Sequence, residues 1–304
     1  MKLNAKVVAV SYFYYFNKIY HPQIYSRHSN YNELNLIIGR DHLNSSVGYK
    51  AVDDYVQPGF TVAIGTDSTA YYAIERISQL LATGDLYGIT IIPTSEFTKK
   101  QCIAKGIPVA TLSTAPNIPI DVAIDGADEI DAKLCLNKSG GSILREKMAI
   151  KASKNVIIVA DESKLVRHLG TGCPLPIEIV PFSHEFTRRV IESATNAKAV
   201  LRRGVVTNSR SDGPDVAVTD NGNFIVDVFF ENPIVDAGKL ANELDRIPGV
   251  VAHGLCPQSV DTLIVGSSNG IRVLGKFEES DVWWTDKPEK KNFSRLTVDN
   301  RQIQ

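Results

Sequence analysis

From about Asn44 onward, apolar runs of strand length alternate with stretches of helical period, and this alternation limits the fold more than any other feature of the 304-residue chain. Phe60 to Ile64 is a β-rich run ending at Gly65, after which Tyr71, Ile74, Ile77, Leu80 and Leu81 fall at helical spacing. Ile89 to Ile92 reads as strand, Glu96 to Ala104 as helix, and Val109 to Leu112 and Val122 to Ile124 as strands. A helix from Ser142 to about Ser153 and a strand from Val156 to Ala160 follow. Repeated strand-loop-helix units of this length predict an α/β fold whose mostly parallel, Rossmann-like sheet is covered by helices. Sheets of that kind place their chemistry in the crevice beyond the carboxyl ends of the strands.

The stretch from about Leu175 to Val260 has another rhythm. Strand (Ile177 to Val180), helix (His184 to Ser193), strands (Asp215 to Val218 and Phe224 to Phe230), helix (Asp236 to Arg246) and strand (Val250 to Ala252) follow in turn. Thr219-Asp220-Asn221-Gly222-Asn223 joins two of these strands as a hairpin with an Asn-Gly turn. This predicts a second, smaller α+β domain over about 176–254. The larger domain takes residues 44–175 and closes with 255–275, where Asp261 to Val265 and Ile271 to Leu274 read as returning strands. Residues 276–304 form a polar tail, and residues 1–43 an N-terminal extension. The first 32 residues lack Asp and Glu and carry six tyrosines from Tyr12 to Tyr31. An extension of that composition is either a targeting segment or a disordered leader, so both cytoplasm and plastid stay open.

Composition narrows the partners. A formal net charge of −1 leaves no basic field for duplex nucleic acid. No window reaches the ~20 apolar residues of a membrane span. Cys102, Cys135, Cys173 and Cys256 are far apart, without zinc-ligand or redox-pair spacing, and read as buried thiols. No pair of the six histidines falls on one helix face and no tight Cys/His cluster exists, so a metal enzyme is not expected. Gly266-Ser267-Ser268-Asn269-Gly270 is spelled like a hydrolase nucleophile elbow, but strand follows rather than helix, and it reads as a hairpin turn.

Three loops, each at the end of a predicted strand, carry chemistry. Gly65-Thr66-Asp67-Ser68-Thr69-Ala70 opens a helix, and its hydroxyls and free amides suit a phosphate; equally, Ser or Thr can simply cap that helix. Asp67 repels a phosphate unless its side chain points away. Ile124-Asp125-Gly126-Ala127-Asp128-Glu129 sets three carboxylates at a buried strand end, where they are costly unless paired or used, though acidic surface turns are common. Lys138-Ser139-Gly140-Gly141-Ser142 forms a second anion cradle before a helix whose early turns hold Glu146. A Glu near a helix start also complements the dipole without any other role.

Taken together with Tyr55-Val56-Gln57-Pro58-Gly59, Val159-Ala160-Asp161-Glu162-Ser163-Lys164, Leu175-Pro176-Ile177-Glu178, Thr219 to Asp227 and Gly249 to Leu255, these segments resemble type A ribose-5-phosphate isomerase, in family order over roughly residues 44 to 275. The resemblance implies reversible interconversion of ribose 5-phosphate and ribulose 5-phosphate, a step of the pentose phosphate pathway's non-oxidative branch, with no metal or cofactor and a small pentose phosphate as the partner. It assigns the base to Glu146, the cation for the enediolate to Lys138, and contacts with sugar hydroxyls to Asp125 and Asp128. It places substrate at Gly65, Thr66, Ser68, Thr69, Gly140, Gly141 and Lys164, with Ser68, Thr69 and Lys164 at the phosphate. It further implies a homodimer or homotetramer joined through the smaller domain. The chain departs from the family pattern at Asp67, where a glycine is usual, in a loop after Lys138 that is one residue shorter, and at Asn44-Ser45-Ser46, where lysines are usual. These departures allow an alternative, a weakened relative that binds a sugar phosphate as a regulator or partner subunit.

Overall fold

The structure, a computed structural model, describes residues 31–207 and 213–275, and of residues 31–42 the backbone only. It opens with α1 (Tyr31–Tyr55), whose inward residues Val47, Ala51 and Val52 are fully buried. Strand β1 (Thr61–Ile64), helix α2 (Ser68–Thr83), strand β2 (Thr90–Pro93), helix α3 (Glu96–Ala104) and strand β3 (Ile120–Asp125) follow. The short strands β4 (Glu129–Ile130) and β5 (Leu136–Asn137) lead to α4 (Ile143–Lys151), β6 (Ser153–Asp161) and a 3-10 turn, Glu162–Lys164. The smaller unit holds β7 (Leu175–Ile179), α5 (His184–Thr195), β8 (Lys198–Leu201), β9 (Phe224–Phe229), α6 (Ala237–Leu244) and β10 (Val250–His253). β11 (Leu255–Cys256), β12 (Thr262–Ser267) and β13 (Gly270–Gly275) complete the chain.

The main sheet has the order β13-β12-β6-β3-β1-β2, parallel throughout except for β13. The predicted α/β class, mostly parallel and helix-covered, is the one observed. After β1 the chain adds β2 on one side, then crosses through α3 to lay β3 on the other. That reversal makes a topological switch point, and the loops after β1 and β3 flank it, which is where such sheets hold ligands. The central strands are buried on both faces; every residue of β1 is inaccessible, as the all-apolar run Val62-Ala63-Ile64 requires. A four-stranded antiparallel sheet, β10-β7-β9-β8, carries α5 and α6 around its own apolar core. The ribbon β11-β5-β4 lies between the sheets, and β11 continues from β10 through Gly254.

Several boundaries differ from the sequence reading. Helix α1 runs through residue 43, so the division placed there falls inside a helix, and the one at 175/176 falls inside β7. The strand expected at Val109 to Leu112 is reduced to one bridge between Ile91 and Val109, and that at Asp215 to Val218 to bridges from Val216 to Arg203 and from Val218 to Phe224. Val109 meets one partner strand at a sheet margin, and residues 215–218 share their bridges between the chain after β8 and the start of β9, so neither run pairs regularly enough to form a ladder. The Thr219–Asn223 turn forms, closed by bonds from the Thr219 amide to the Asn223 carbonyl and from the Gly222 amide to the Thr219 carbonyl. The Ser267–Gly270 segment is likewise a hairpin turn between β12 and β13. Of the cysteines, Cys102, Cys135 and Cys256 are buried and Cys173 is half-buried, all as free thiols. Among the described residues no helix is long and apolar enough to cross a membrane. The extension before residue 31 and the tail after 275 lie outside the described residues.

Candidate active site

Three elements deliver side chains to the switch point. Asp125 is the last residue of β3, so the strand fixes its carboxylate at the sheet's carboxyl edge. Lys138 follows β5, and its amide donates to the Gly254 carbonyl at 2.9 Å, which ties it to the turn between β10 and β11. Glu146 shares the buried face of α4 with Ile143, Ala149 and Ile150. A carboxylate in the apolar stripe of a helix faces the sheet rather than water.

These three meet. The Lys138 Nζ lies 2.9 Å from Asp125 Oδ1 and 3.3 Å from Glu146 Oε2, and donates to the Gly126 carbonyl at 2.5 Å. Lys138 is 4%, Asp125 3% and Glu146 4% exposed, so the cluster sits under low dielectric, where charge interactions are strong. Burial pushes the Asp125 carboxyl up, the Glu146 charge adds to this, and Lys138 opposes it; the outcome is about 7. Glu146 is raised for the same first reason, with Lys138 again opposing. Burial alone depresses the Lys138 ammonium, but Asp125 and Glu146 hold it above its usual range. The cluster therefore keeps its cation, and both the Asp125 and the Glu146 carboxyls stand above the ordinary carboxylate range. Despite the shorter loop between them, Lys138 and Glu146 converge.

Around this cluster the other expected residues divide. Asp128 accepts from the Ser139 amide at 2.8 Å and pairs with Lys164 Nζ at 3.3 Å. Burial raises its carboxyl, but Lys164 and the Ser139 bond outweigh that and leave it lowered. Lys164 thus stands beside Asp128, on the β6 side of β3, whereas Ser68 and Thr69 stand on the β1 side. Ser68 is exposed. Thr69 is buried and its hydroxyl donates to Asn44 Oδ1 at 3.4 Å. The Thr66 hydroxyl lies 2.8 Å from Ser95 Oγ and 3.1 Å from both Thr94 and Thr98 Oγ1, a hydroxyl cluster that braces the turn from below. Gly65 is a position where no side chain fits, since a Cβ there lies 1.8 Å from Asp125 Oδ1. Gly140 faces open space, and Gly141 packs against Val206. The cap of α2 is Asp67, not a hydroxyl residue: its Oδ1 accepts from the Thr69 and Ala70 amides.

Sequence reasoning missed the supports. Arg202 is wholly buried; it pairs with Asp227 through two bonds, and its Nη2 donates to the Ser139 carbonyl at 3.0 Å, so it fixes the strap just after Lys138. Glu129, the third acidic residue of its loop, turns away and accepts from Asn137 Nδ2 and from the amides of Gly170, Gly172 and Cys173. Arg145 clamps the start of α4 to the hairpin turn, bonding Asn221 Oδ1 at 2.8 Å and the Asp220 carbonyl at 2.9 Å. A buried arginine just after a short strand gives no local signal; only its partner across the sheet does. Among the described residues no three His, Cys, Asp or Glu side chains cluster as metal ligands do.

The model of the family ribose 5-phosphate isomerase A (phosphoriboisomerase A) matches residues 90–270. Probable ribose-5-phosphate isomerase 1 of Arabidopsis thaliana is 42% identical over 243 residues, covering 78% of this chain and 89% of that protein. Ribose-5-phosphate isomerase of Plasmodium falciparum is 39% identical over 232 residues, covering 76% and 95%. The solved Plasmodium falciparum enzyme superimposes with a TM-score of 0.72 at 36% identity, covering 78% of this chain and all of that one. A D-ribose-5-phosphate isomerase solved in complex with phospho-erythronic acid gives 0.71 at 35% identity. With nearly the full length of such relatives matched in both sequence and backbone, the chain belongs to the ribose 5-phosphate isomerase A family.

Proposed function

We propose that this chain is an aldose-ketose isomerase that interconverts D-ribose 5-phosphate and D-ribulose 5-phosphate in the pentose phosphate pathway. The observation that carries the site assignment is the Lys138 ammonium held between Asp125 and Glu146 at the switch point. Glu146 removes the proton from C2 of the open-chain aldose; the bonding pair becomes the C1–C2 double bond, and O1 gains the negative charge of a cis-enediolate. The O2 proton passes to O1, and Glu146 returns its proton to C1, leaving a ketone at C2. Because C1 and C2 are neighbours, one carboxylate serves both transfers. Lys138 stabilises charge where it develops, and Asp125 and Asp128 hold the hydroxyls. The turn Gly65 to Ala70 and the strap at Gly140 and Gly141 receive the rest of the substrate, with the phosphoryl end at Ser68 and Thr69. Binding at that remote end orients the reacting carbons.

A coupled assay on ribose 5-phosphate tests this, beside Glu146→Gln, whose turnover and solvent-deuterium uptake are expected to fall about 100- to 10,000-fold. Turnover that survives in Glu146→Gln removes Glu146 from the role, and none in the parent chain leaves a binder. Assembly as a homodimer or homotetramer through the smaller unit is part of the proposal, supported by Phe182, just before α5, and Phe186 in its first turn, 84% and 68% exposed. Sedimentation at the monomer mass refutes it. Residence in the cytoplasm or a plastid also belongs here, supported by a 39% identical Arabidopsis thaliana relative named chloroplastic; imaging the tagged full chain decides it.

A further inference from the structure

Asp67 stands where the proposed phosphate end meets the proposed base, and its two oxygens have unlike surroundings. Its backbone is extended (φ −132, ψ 172), so the side chain folds back over the start of α2, and Oδ1 accepts from the Thr69 amide at 2.6 Å and the Ala70 amide at 2.8 Å. Those amides, at the positive end of the helix dipole, are the donors an incoming oxyanion needs. Oδ2 is buried and has no hydrogen-bond partner. It presses against Gly126, where a Cβ lies 2.1 Å from it, so glycine at 126 is what admits this carboxylate to the crevice. A buried acceptor with no donor is costly, and a carboxylate more so.

We infer that Asp67 is an internal competitor for the substrate's phosphate: ionised, it occupies the α2 amides, and the phosphoryl group takes them only when Asp67 gains a proton or swings aside. This rests on reading the Gly65–Ala70 turn as the phosphate end. Asp67 thereby sets this chain's affinity for phosphorylated sugars and couples binding to proton uptake. The charged groups facing it are Asp125 from β3, Glu146 from α4 and Lys138 beside β5. Burial first, and the Asp125 charge second, already push its carboxyl up in the free protein, with Lys138 and the two amide bonds opposing. A second anion in the same nest raises it further, so between the free and bound values one proton is taken up.

Sulfate is a suitable probe, because it mimics phosphate and holds its charge across the neutral range. Its binding is followed by calorimetry in two buffers of different ionisation heat, which counts protons without relying on turnover. Asp67→Asn keeps an oxygen for the cap but removes the charge, since Asn is as good an N-cap as Asp. Asp67→Gly removes both, and a thermal melt of each variant verifies folding. The parent is expected to take up close to one proton with sulfate and to bind it up to tenfold more weakly per pH unit above the Asp67 pKa. Asp67→Asn is expected to bind sulfate about tenfold tighter at neutral pH, with proton uptake reduced by that same proton. Any uptake that persists in the variant belongs to Asp125 and Glu146. Equal affinities and equal proton counts in parent and variants, or no sulfate binding by any of them, overturn the inference. Turnover that depends on Glu146 leaves the isomerase reading standing in either case.

Discussion

Replacing Gly65 by alanine tests whether the position of Asp125 matters to the reaction. The added Cβ lies 1.8 Å from Asp125 Oδ1 and 2.4 Å from its Cγ, against a normal approach well above 3 Å. The carboxylate must retreat by about 1.5 Å, far enough to break its 2.9 Å contact with Lys138. A misplacement of about 1 Å in a reacting constellation commonly costs on the order of 100-fold, so kcat/KM should fall by about that factor. Overpacking of this kind also destabilises by about 1–3 kcal/mol, visible as a lowered melting temperature. The two effects separate in a double-mutant cycle. In an Asp125→Ala background the two closest clashes, with Oδ1 and Cγ, are gone, and of the three nearest atoms the residue 125 Cα remains, at 3.1 Å, which a few tenths of an ångström relieves. Gly65→Ala should then cost no more than a few-fold on top of Asp125→Ala, giving a coupling near 2 kcal/mol. Undiminished kcat/KM in a folded Gly65→Ala protein, or equal losses in both backgrounds, refutes the assigned role of Asp125.

Three further outcomes follow from the same geometry. Arg202→Met leaves Asp227 buried without its partner and should destabilise by about 3–5 kcal/mol in denaturant titration. Adding Asp227→Leu should recover most of that stability but not the activity, because the Ser139 carbonyl still lacks its donor. Glu146 must be ionised to act as base and its carboxyl is held above the ordinary 4.5, so kcat/KM should drop with an acid limb above pH 4.5; a limb at or below that value removes Glu146 as base. His253, 1% exposed, has its imidazole pushed down to about 4, first by burial and next by Lys147, so the folded state favours the neutral ring. The unfolded chain then binds more protons below pH 6.5, and stability present above that pH should fall by at most about 3 kcal/mol as pH approaches 4, a loss that His253→Gln should reduce.

The strands and helices of the main sheet were legible because burial on both faces writes itself as continuous apolar runs, as in β1 and β6, and amphipathic helices write their period, as in α2. The short strands β4, β5 and β11 were not, because two residues cannot show a period. The site divided in the same way. Asp125 and Asp128 stood out as carboxylates at a strand's end, and the lysine and glycines before α4 as a cradle. Glu129 looked like their equal and is a brace for residues 170–173 instead: it opens β4, and its carboxylate is taken up by the amides of Gly170, Gly172 and Cys173, partners more than forty residues away in sequence. Glu146 carried a readable sign: it occupies the position in α4 where Ile143, Ala149 and Ile150 demand an apolar side chain. Asp67 was legible only as an intruder in a glycine-rich turn; that it caps α2 depends on an extended backbone and on the gap at Gly126, both decided by contacts made across the sheet.

The charge balance of the cluster explains why a single lysine serves it. Asp67, Asp125 and Glu146 surround one ammonium, and with all three ionised the crevice holds a net negative charge, with Asp125 and Glu146 buried. Burial answers by raising the carboxyls, which makes the proposed base stronger but less often ionised. Lys138 answers in the other direction, lowering Glu146 and Asp125 while itself staying charged. A proton carrier needs both pressures: enough basicity to draw a proton from carbon, and enough nearby positive charge to be vacant when substrate arrives. The same cation then meets the negative charge that leaves the carboxylate and appears on the sugar oxygens, so charge moves only a short distance within a fixed field. Lys138→Met removes both supports together. It should leave a base that is stronger per ionised molecule yet less often ionised, shifting the acid limb upward while lowering the rate near neutral pH. A loss of rate with no such shift separates the cation's role at the enediolate from its hold on the base.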